Sequence, residues 1–257
     1  MSSNDKWIPM PRFLLRKSAL KKIIKNLNLK DKKCLEIGYG AGETLKLLVQ
    51  KGAIVDGFDF SEDARSLAKT RLQHVDYSEN IKLFDDEREV KENQYDIIFA
   101  FEVLEHIGDD EQELKQWDKY LKSQGQIILS VPAHMSKWSV SDVWAGHFRR
   151  YEKKELQDLL ENSNFKVVSL WNYGFPLSNL LDKFLGSQKK KELQNIDGEL
   201  DIAEQSKKSG IDRKNTLLYK ILFNDFMLFP FYLLQKLFFT KDVGSGYIVH
   251  AKKADED

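Results

Sequence analysis

Three ionisable side chains come directly after an apolar run near the middle of the chain. Residues 97–101 carry no charge, and Glu102, Glu105 and His106 follow at i, i+3 and i+4 spacing. If a helix begins after the apolar run, the three side chains lie on neighbouring faces of its first turns. Two carboxylates and an imidazole in that arrangement could clamp a substrate, relay a proton or hold a metal ion. They could also form a solvated helix start, because early acidic residues suit the helix dipole.

A second group of reactive side chains lies in the segment SVPAHMSKWSVSDVWAGHFRRYEKKEL (130–156). The segment follows an apolar run that is typical of a strand, and ligands bind at the carboxyl ends of strands in open α/β sheets. We take His106 and His147 as candidate bases, with Arg150 and Tyr151 as further catalytic candidates. Arg150 and its neighbour could also hold a phosphate or carboxylate of the substrate, or be ordinary surface arginines.

A glycine-rich turn follows the first apolar run of the chain. In LEIGYGAG, Gly38, Gly40 and Gly42 permit a tight turn with positive φ and let a ligand approach the backbone. Asp59 lies 21 residues beyond Gly38, at the end of the second apolar run, where a carboxylate can accept hydrogen bonds from ribose hydroxyls. The third glycine follows the second by two residues, so the dinucleotide pattern G-x-G-x-x-G is not met.

Glu36 stands inside the apolar run just before this turn. An anion there would repel a pyrophosphate, whereas it would attract an amino group or a sulfonium. Together with the glycine spacing, this favours S-adenosylmethionine (SAM) as the cofactor over NAD, and it makes an NAD-dependent dehydrogenase the less favoured interpretation.

The elements that must position these residues alternate between apolar and amphipathic stretches. The alternation predicts an α/β fold with a parallel sheet covered on both faces. The predicted strands are 32–38, 53–60, 80–84, 95–101, 125–132, 165–174 and 246–253. The predicted helices are 43–52, 61–75, 110–123 and 153–163, with one more near the N-terminus after a proline-bearing turn.

Composition narrows the classes of partner. The chain of 257 residues has 40 Lys and Arg against 40 Asp and Glu, and this neutral balance gives no overall footprint for nucleic acid. We therefore expect no nucleic-acid partner. The one cysteine, Cys34, cannot form an internal disulfide, and no apolar core of signal-peptide length begins the chain. These two features predict a cytoplasmic protein.

A long segment of different character separates the last two predicted strands. We expect a main domain formed by residues 1–174 and 244–257, with residues 175–243 inserted into it. Within the insertion, residues 187–215 are densely charged and 216–239 are strongly apolar and aromatic. Charged residues and a proline interrupt the apolar part, which argues against a membrane span. We expect two amphipathic helices packed on the sheet or on each other; the alternatives are a lid, a dimer face or a peripheral membrane contact.

Several motifs together resemble a known family. LEIGYGAG, DGFDFS, YDIIFAFEVLEHI and LKSQGQIILSVPA are similar to successive motifs of the class I SAM-dependent methyltransferases, in the family's order, over roughly residues 32–135. The resemblance implies a Rossmann-like three-layer α/β sandwich with a seven-stranded, mostly parallel sheet whose last strand is antiparallel. It also implies SAM as the cofactor and S-adenosylhomocysteine as the product.

The resemblance assigns a cofactor role to residues at the ends of the first four strands. By position these residues are Glu36, Gly38, Tyr39, Gly40 and Gly42 for the methionine part, Asp59 for the ribose, Phe60 and Asp85 or Asp86 for the adenine, and Phe101 and Glu102, whose backbone would close the pocket. In the N-terminal helix, Arg16 could reach the SAM carboxylate.

The EVLEH turn carries a further resemblance. With a later histidine, it is similar to the ubiquinone-biosynthesis O-methyltransferases and the small-RNA 2′-O-methyltransferases, in which E-x-x-E-H and a downstream histidine hold a divalent cation. The matching positions are Glu102, Glu105, His106 and His147. A metal held there would lower the pKa of an acceptor hydroxyl. The same motif is also common in methyltransferases without a metal, where His106 or His147 would be a base or an acceptor ligand.

The residues leave the acceptor open. The segment GHFRRYEKKEL resembles a motif of methyltransferases that are associated with glycan or lipid modification. We therefore expect methyl transfer to a hydroxyl of a small molecule, a glycan or a lipid-linked acceptor. The alternatives are metal-assisted O-methyl transfer and a non-catalytic SAM-binding or interaction protein. The oligomeric state is not predicted.

Overall fold

The computed structural model describes residues 7–73, 75–182 and 224–254. Within these ranges the strands are β1 (Lys33–Ile37), β2 (Ile54–Phe58), β3 (Ile81–Phe84), β4 (Tyr95–Phe101), β5 (Leu121–Pro132), β6 (Phe165–Tyr173) and β7 (Gly246–Lys253). The helices with both ends in these ranges are α1 (Pro11–Ile24), α2 (Glu43–Val49), α3 (Glu62–Leu72), α4 (Asp110–Tyr120), α5 (Val140–Ala145), α6 (Lys153–Asn162) and α7 (Asp225–Lys236).

All seven strands belong to one sheet, in the order β3-β2-β1-β4-β5-β7-β6. β7 runs antiparallel to both of its neighbours, β5 and β6, and the other pairings are parallel. This topology confirms the predicted seven-stranded, mostly parallel α/β sheet with an antiparallel last strand. Because parallel strands end at the same edge of a sheet, the segments that follow β1, β2 and β4 meet there.

Side chains of neighbouring strands divide between two hydrophobic clusters, one on each face of the sheet. Cys34 and Phe99 enter the cluster that includes α1 and α2, whereas Leu35 and Ile98 enter the cluster that includes α4 and α6. Successive residues of a strand point to opposite faces, so a strand covered on both sides is apolar at nearly every position. This is why uninterrupted apolar runs predict these strands correctly.

The segment after β4 contains the predicted helix 110–123, as α4, but not the helix considered directly after the apolar run. No α-helix follows Phe101 directly; in the described part of the chain, Leu104–His106 form a single 3₁₀ turn and α4 begins after Asp109. The Asp109 side chain accepts a hydrogen bond from the backbone N–H of Gln112 at 3.0 Å, so a carboxylate cap fixes the start of α4 there. The three ionisable side chains after β4 therefore do not share one helical face.

Two helices outside the strand–helix alternation, α1 and α7, pack against each other. The Gln235 side chain of α7 donates to the Leu15 carbonyl of α1 at 3.1 Å and accepts from the Gly174 N–H at 3.2 Å. In the ranges above, no helix is both long and apolar enough to cross a membrane. Residues 187–215 and the first part of 216–239 lie outside the described residues, so the division into a main domain and an insertion stays a prediction.

Candidate functional site

The glycine turn after β1 has the backbone that its sequence predicts. Gly38, Gly40 and Gly42 have φ values of 70°, 52° and 77°, all in the left-handed region. A Cβ at position 38 would lie 2.4 Å from Cγ2 of Val103, so the turn packs tightly against the segment after β4. At position 40, nothing in the described part of the chain lies within 4 Å of such a Cβ, and a ligand can approach the backbone there.

Gly38→Ala is expected to lower the free energy of unfolding by about 1–3 kcal/mol, because the added methyl group overlaps Val103 and the backbone is left-handed. Urea unfolding measures the loss. Val103→Ala in the same chain removes the overlap but leaves the backbone strain. The double variant should therefore lose less stability than the sum of the two single losses. Strictly additive losses would show that the methyl group and Val103 do not collide.

Two buried carboxylates flank the glycine turn. Asp59 accepts hydrogen bonds from the backbone N–H groups of Gly40 and Ser61, both at 2.8 Å. Glu36 is 3% exposed, and its Oε2 has no hydrogen-bond partner among the described residues. Burial raises the pKa of Glu36 to about 8, although a hydrogen bond with Thr44 partly offsets that rise. An amino or cationic group of a ligand would give this carboxylate the partner that it lacks.

The raised pKa of Glu36 predicts how stability depends on pH in the absence of ligand. Because the folded-state pKa of about 8 lies above the ordinary 4.5, the stability linked to this carboxyl is complete at low pH. It is lost as the pH rises from about 4.5 to about 8. The urea midpoint of Glu36→Gln should therefore fall less than that of wild type over this range. A variant that loses stability as steeply as wild type would contradict the assignment.

The other predicted cofactor residues lie at the same edge of the sheet. Phe60 follows β2 and is 53% exposed, whereas Tyr39 and Phe101 are buried. Asp85 follows β3, and its carboxylate lies 3.2 Å from Nζ of Lys69. The structure therefore brings these side chains to the carboxyl ends of neighbouring strands, as predicted for a ligand site. Their contacts with SAM stay a prediction.

Glu102 pairs with the N-terminal helix rather than with the histidines. Its φ is 57°, and its carboxylate lies 3.2 Å from Nη2 of Arg12 and 3.6 Å from Nη1 of Arg16. It also accepts hydrogen bonds from the hydroxyls of Ser130 at 2.9 Å and Tyr173 at 3.0 Å. Burial alone would raise the pKa of Glu102, but the two guanidinium groups lower it to about 2. This predicted metal ligand is thus already neutralised by two arginines.

The other three predicted metal ligands lie together. Glu105, His106 and His147 each offer a ligand atom, and these atoms all lie within 4.8 Å of one another. The two imidazole rings meet edge to face, with their centroids 4.8 Å apart. Glu105 is fully buried, its Oε1 lies 3.9 Å from Nε2 of His147, and neither of its oxygens has a hydrogen-bond partner among the described residues. We call these three residues the acidic–imidazole group.

Burial shifts the pKa values of Glu105 and His106. Burial and the nearby charge of Glu102 raise the pKa of Glu105 well above its usual range. Burial and the neighbouring imidazole of His147 lower the pKa of His106 to about 4, so the His106 ring is neutral. A carboxyl group with a raised pKa beside a neutral imidazole suits proton transfer or, once the carboxyl is deprotonated, coordination of a cation.

Both imidazoles are held through Nδ1. The Nδ1 of His106 lies 3.3 Å from the Gly146 carbonyl oxygen, and the Nδ1 of His147 lies 3.0 Å from Oδ1 of Asp142. A carbonyl and an ionised carboxylate can only accept, so Nδ1 of each ring carries a hydrogen, and in a neutral ring the lone pair lies on Nε2. The Phe148 N–H donates to the Glu105 carbonyl at 2.8 Å and ties the two segments together.

Arg150 and Tyr151, predicted as catalytic, make hydrogen bonds to buried carboxylates. Arg150 is buried, and its guanidinium makes two hydrogen bonds to Asp142, at 2.8 and 2.9 Å. The Tyr151 hydroxyl donates to Asp110 at 2.8 Å. Direct catalytic roles for these two residues stay predictions. Asp142 lies in the predicted loop cluster of 130–156, but the sequence assigned it no role, because a Ser-x-x-Asp pattern at positions 139–142 signals only a helix cap.

Comparison with protein families gives a clear match. A family model described as a methyltransferase domain matches residues 12–170, which is more than half of the chain. The match includes all of α1 but its first residue, the glycine turn and the acidic–imidazole group.

Individual relatives and solved structures agree with this match. A ubiquinone biosynthesis O-methyltransferase of Coxiella burnetii is 32% identical over 133 residues, or 50% of this chain and 57% of that protein. The chain thus spans little more than half the length of that relative. A methyltransferase structure from Bacillus halodurans has a TM-score of 0.60 at 16% identity, covering 93% of this chain and 99% of that one. Phosphoethanolamine N-methyltransferase 2 of Haemonchus contortus, in complex with SAM, has a TM-score of 0.58 at 14% identity, covering 93% and 53%.

Proposed function

The chain belongs to the family of methyltransferase domains, and from this premise we propose that it transfers the methyl group of SAM to a hydroxyl of a small molecule, a glycan or a lipid-linked acceptor. The family and the strand order confirm the predicted class I SAM-dependent methyltransferase and its cofactor. An oxygen acceptor is supported by relatives that are named ubiquinone biosynthesis O-methyltransferase. The observation that carries the proposal is the 3.0 Å contact of Nδ1 of His147 with Oδ1 of Asp142, which makes Nε2 the proton acceptor of the neutral ring.

The residues present fit SAM at the glycine turn. The unpaired Oε2 of Glu36 would accept from the amino group of the methionine part, and the open space at Gly40 lets a ligand reach the backbone. Asp59 would take the ribose hydroxyls, with Phe60 and Asp85 at the adenine end. SAM supplies a methyl group already activated on its sulfonium. The protein therefore has to align the acceptor and remove its proton.

His147 is the proposed base. When the acceptor oxygen forms its bond to the methyl carbon and the sulfur–carbon bond breaks, the hydroxyl proton passes to Nε2 of His147. The ionised Asp142 at Nδ1 stabilises the resulting imidazolium. Arg150 supports His147 through Asp142, whereas Tyr151 donates a hydrogen bond to Asp110.

A labelled-methyl screen tests the proposed function. Purified protein is incubated with methyl-labelled SAM and fractionated metabolites, lipids and glycans, beside His147→Ala. Label should enter at least one fraction with wild type and be lost with the variant. Calorimetry with SAM and with NADH separates the alternatives. SAM binding without label in any fraction would favour the non-catalytic SAM-binding protein, and NADH binding without SAM binding would overturn the cofactor.

A second candidate function is metal-assisted methyl transfer, and the unpaired oxygens of Glu105 favour it. Glu105, His106 and His147 would hold a divalent cation such as Mg²⁺, Mn²⁺ or Zn²⁺, since two imidazoles and a carboxylate suit such ions. The cation would act as a Lewis acid on the acceptor oxygen. Titration with Mn²⁺ and Zn²⁺ tests this, with Glu105→Gln expected to weaken binding and His134→Gln, outside the group, expected to leave it unchanged. Equal affinity of both variants would contradict it.

We further propose that the surface of α7 makes a peripheral contact with an anionic bilayer, which suits a lipid-linked acceptor. Its polar Gln235 faces inward and is 1% exposed, while Phe226 and Leu237 on the opposite side are 81% and 72% exposed. Phe229 and Leu233 complete this outward apolar stripe. Exposed lysines at the ends of α1 and α7 add positive charge: Lys21, Lys22, Lys25, Lys236 and Lys241. An apolar stripe with flanking lysines is typical of interfacial helices.

Vesicle sedimentation tests this contact. Wild type should bind vesicles with anionic lipid more strongly than purely zwitterionic ones. Replacing both Phe229 and Leu233 with serine should abolish the binding. Val168→Ser changes an exposed apolar residue of β6 and should have no effect. Unchanged binding by the double variant, or a dimer that the same substitutions dissolve, would contradict the bilayer as occupant.

A further inference from the structure

Asp142 is the most heavily hydrogen-bonded carboxylate near the acidic–imidazole group. It is 1% exposed and lies in the first turn of α5. Its Oδ1 accepts from Nδ1 of His147 at 3.0 Å and from Nε of Arg150 at 2.8 Å. Its Oδ2 accepts from Nη2 of Arg150 at 2.9 Å, and from the backbone N–H and hydroxyl of Ser139 at 2.8 and 3.0 Å. Every lone-pair direction of this carboxylate therefore faces a donor.

These donors fix the tautomer of the neutral His147 ring. The Arg150 guanidinium does not lose its proton in proteins, and the backbone N–H of Ser139 is a permanent donor. With these donors in place, Asp142 stays an ionised carboxylate that can only accept. The Nδ1 of His147 must therefore carry a hydrogen, and the lone pair of the neutral ring must lie on Nε2. Rotation of the ring would leave Oδ1 of Asp142 without this donor and would also lose the approach of Nε2 to Glu105 at 3.9 Å.

We propose that Asp142, locked by Arg150, is a positioning residue that keeps His147 in the Nδ1–H tautomer with Nε2 aimed at Glu105 and the acceptor site. Its consequence for catalysis rests on the proposed function, because it matters only if His147 acts at the acceptor. The same arrangement serves a base and a metal ligand. In both, an outer carboxylate on Nδ1 orients the ring and makes Nε2 more basic.

The chain offers a matched control in Asp110. This carboxylate is also buried, and it pairs with Arg149 at 2.9 Å and with the Tyr151 hydroxyl at 2.8 Å. No imidazole is among the partners recorded for it in the described residues. Asp110→Asn therefore removes a comparable buried charge from the same region without touching the support of His147. A general loosening of the region would affect both variants, whereas loss of positioning would affect only Asp142→Asn.

Nitrogen-15 NMR of the histidine rings tests the proposal. Long-range proton–nitrogen correlations distinguish the two neutral tautomers, and the signal absent from His147→Gln identifies the ring. In wild type at alkaline pH, His147 should be the Nδ1–H tautomer. Asp142→Asn can offer an amide N–H to Nδ1, so the Nε2–H tautomer should appear. Asp110→Asn should match wild type. An Nε2–H tautomer in wild type overturns the proposal even if no variant folds, and an unchanged tautomer in a folded Asp142→Asn does the same.

Kinetics then separate the positioning from the proposed function. Asp142→Asn should lower kcat about 10–100-fold with little change in the KM for SAM, as expected when the outer partner of a functional histidine is lost. The tautomer is measured without turnover. If it changes as expected while kcat stays within about twofold, the positioning stands and the role of His147 as base fails.

Discussion

Replacing His147 with alanine is expected to lower kcat for methyl transfer about 10²–10⁴-fold, the range that general acid–base catalysis contributes. Nε2 of His147 lies 3.9 Å from Oε1 of Glu105 and would accept the proton. The ionised Asp142 at Nδ1 stabilises the positive charge that proton transfer creates on the ring. SAM affinity should stay nearly the same, because the contacts recorded for the His147 side chain within the described residues are with Asp142, Glu105 and His106 and not with the predicted cofactor residues. Initial rates with the acceptor found in the screen, beside calorimetry with SAM, measure the two effects separately.

His134→Ala is the matched control for this prediction. His134 is also a buried histidine held at Nδ1 by a carboxylate, with Glu152 at 3.1 Å, but it lies outside the acidic–imidazole group. If the proposed roles hold, His134→Ala should lower the free energy of unfolding but change kcat little. A His147→Ala protein that keeps more than about a tenth of the wild-type kcat would remove His147 as the base. Similar rate losses in both variants would point to a general disturbance of the loop.

The meeting of the predicted cofactor residues at one edge of the sheet could be predicted, because its signals are local in sequence. The glycine turn, Glu36 and Asp59 each sit at the end of an apolar run, and parallel strands bring such ends to one edge. No knowledge of distant contacts was needed. The strands were also predicted correctly because each is an apolar run that is local in sequence. The predicted helix 110–123 begins after the Asp109 cap, whereas the helix considered directly after β4 is not formed.

The acceptor half could be predicted only in part because its contacts join distant segments. Glu105 and His147 are 42 residues apart in sequence, and only the resemblance of the EVLEH turn linked them. Glu102 shows the limit of that argument. It has the spacing of a ligand, yet its left-handed backbone turns the carboxylate towards Arg12, 90 residues earlier in the chain. Sequence spacing cannot distinguish a metal ligand from a carboxylate that pairs with the arginines of a neighbouring helix.

Glu102→Gln is expected to lower the free energy of unfolding by about 2–4 kcal/mol, somewhat less than the cost of breaking a fully buried ion pair, because the side chain is 22% exposed. The substitution keeps the shape of the side chain and an acceptor for Ser130 and Tyr173. It leaves Arg12 and Arg16 without the carboxylate that holds α1 to the end of β4. Urea unfolding at neutral pH measures the loss.

Glu43→Gln is the matched control for the loss of stability in Glu102→Gln. Glu43 also lies between two cations, Lys17 and Arg71, and its side chain is 20% exposed, close to the exposure of Glu102. Glu102 accepts two further hydroxyl hydrogen bonds, so its loss should be the larger.

The dependence of stability on pH gives a second, independent comparison of wild type with Glu102→Gln. The pKa of Glu102 is lowered to about 2, so its stabilisation is complete above the ordinary 4.5 and is lost as the pH falls towards 2. Wild type and Glu102→Gln should therefore converge in stability over that range. A constant difference down to pH 2 would mean that shape, rather than charge, holds α1 at this site.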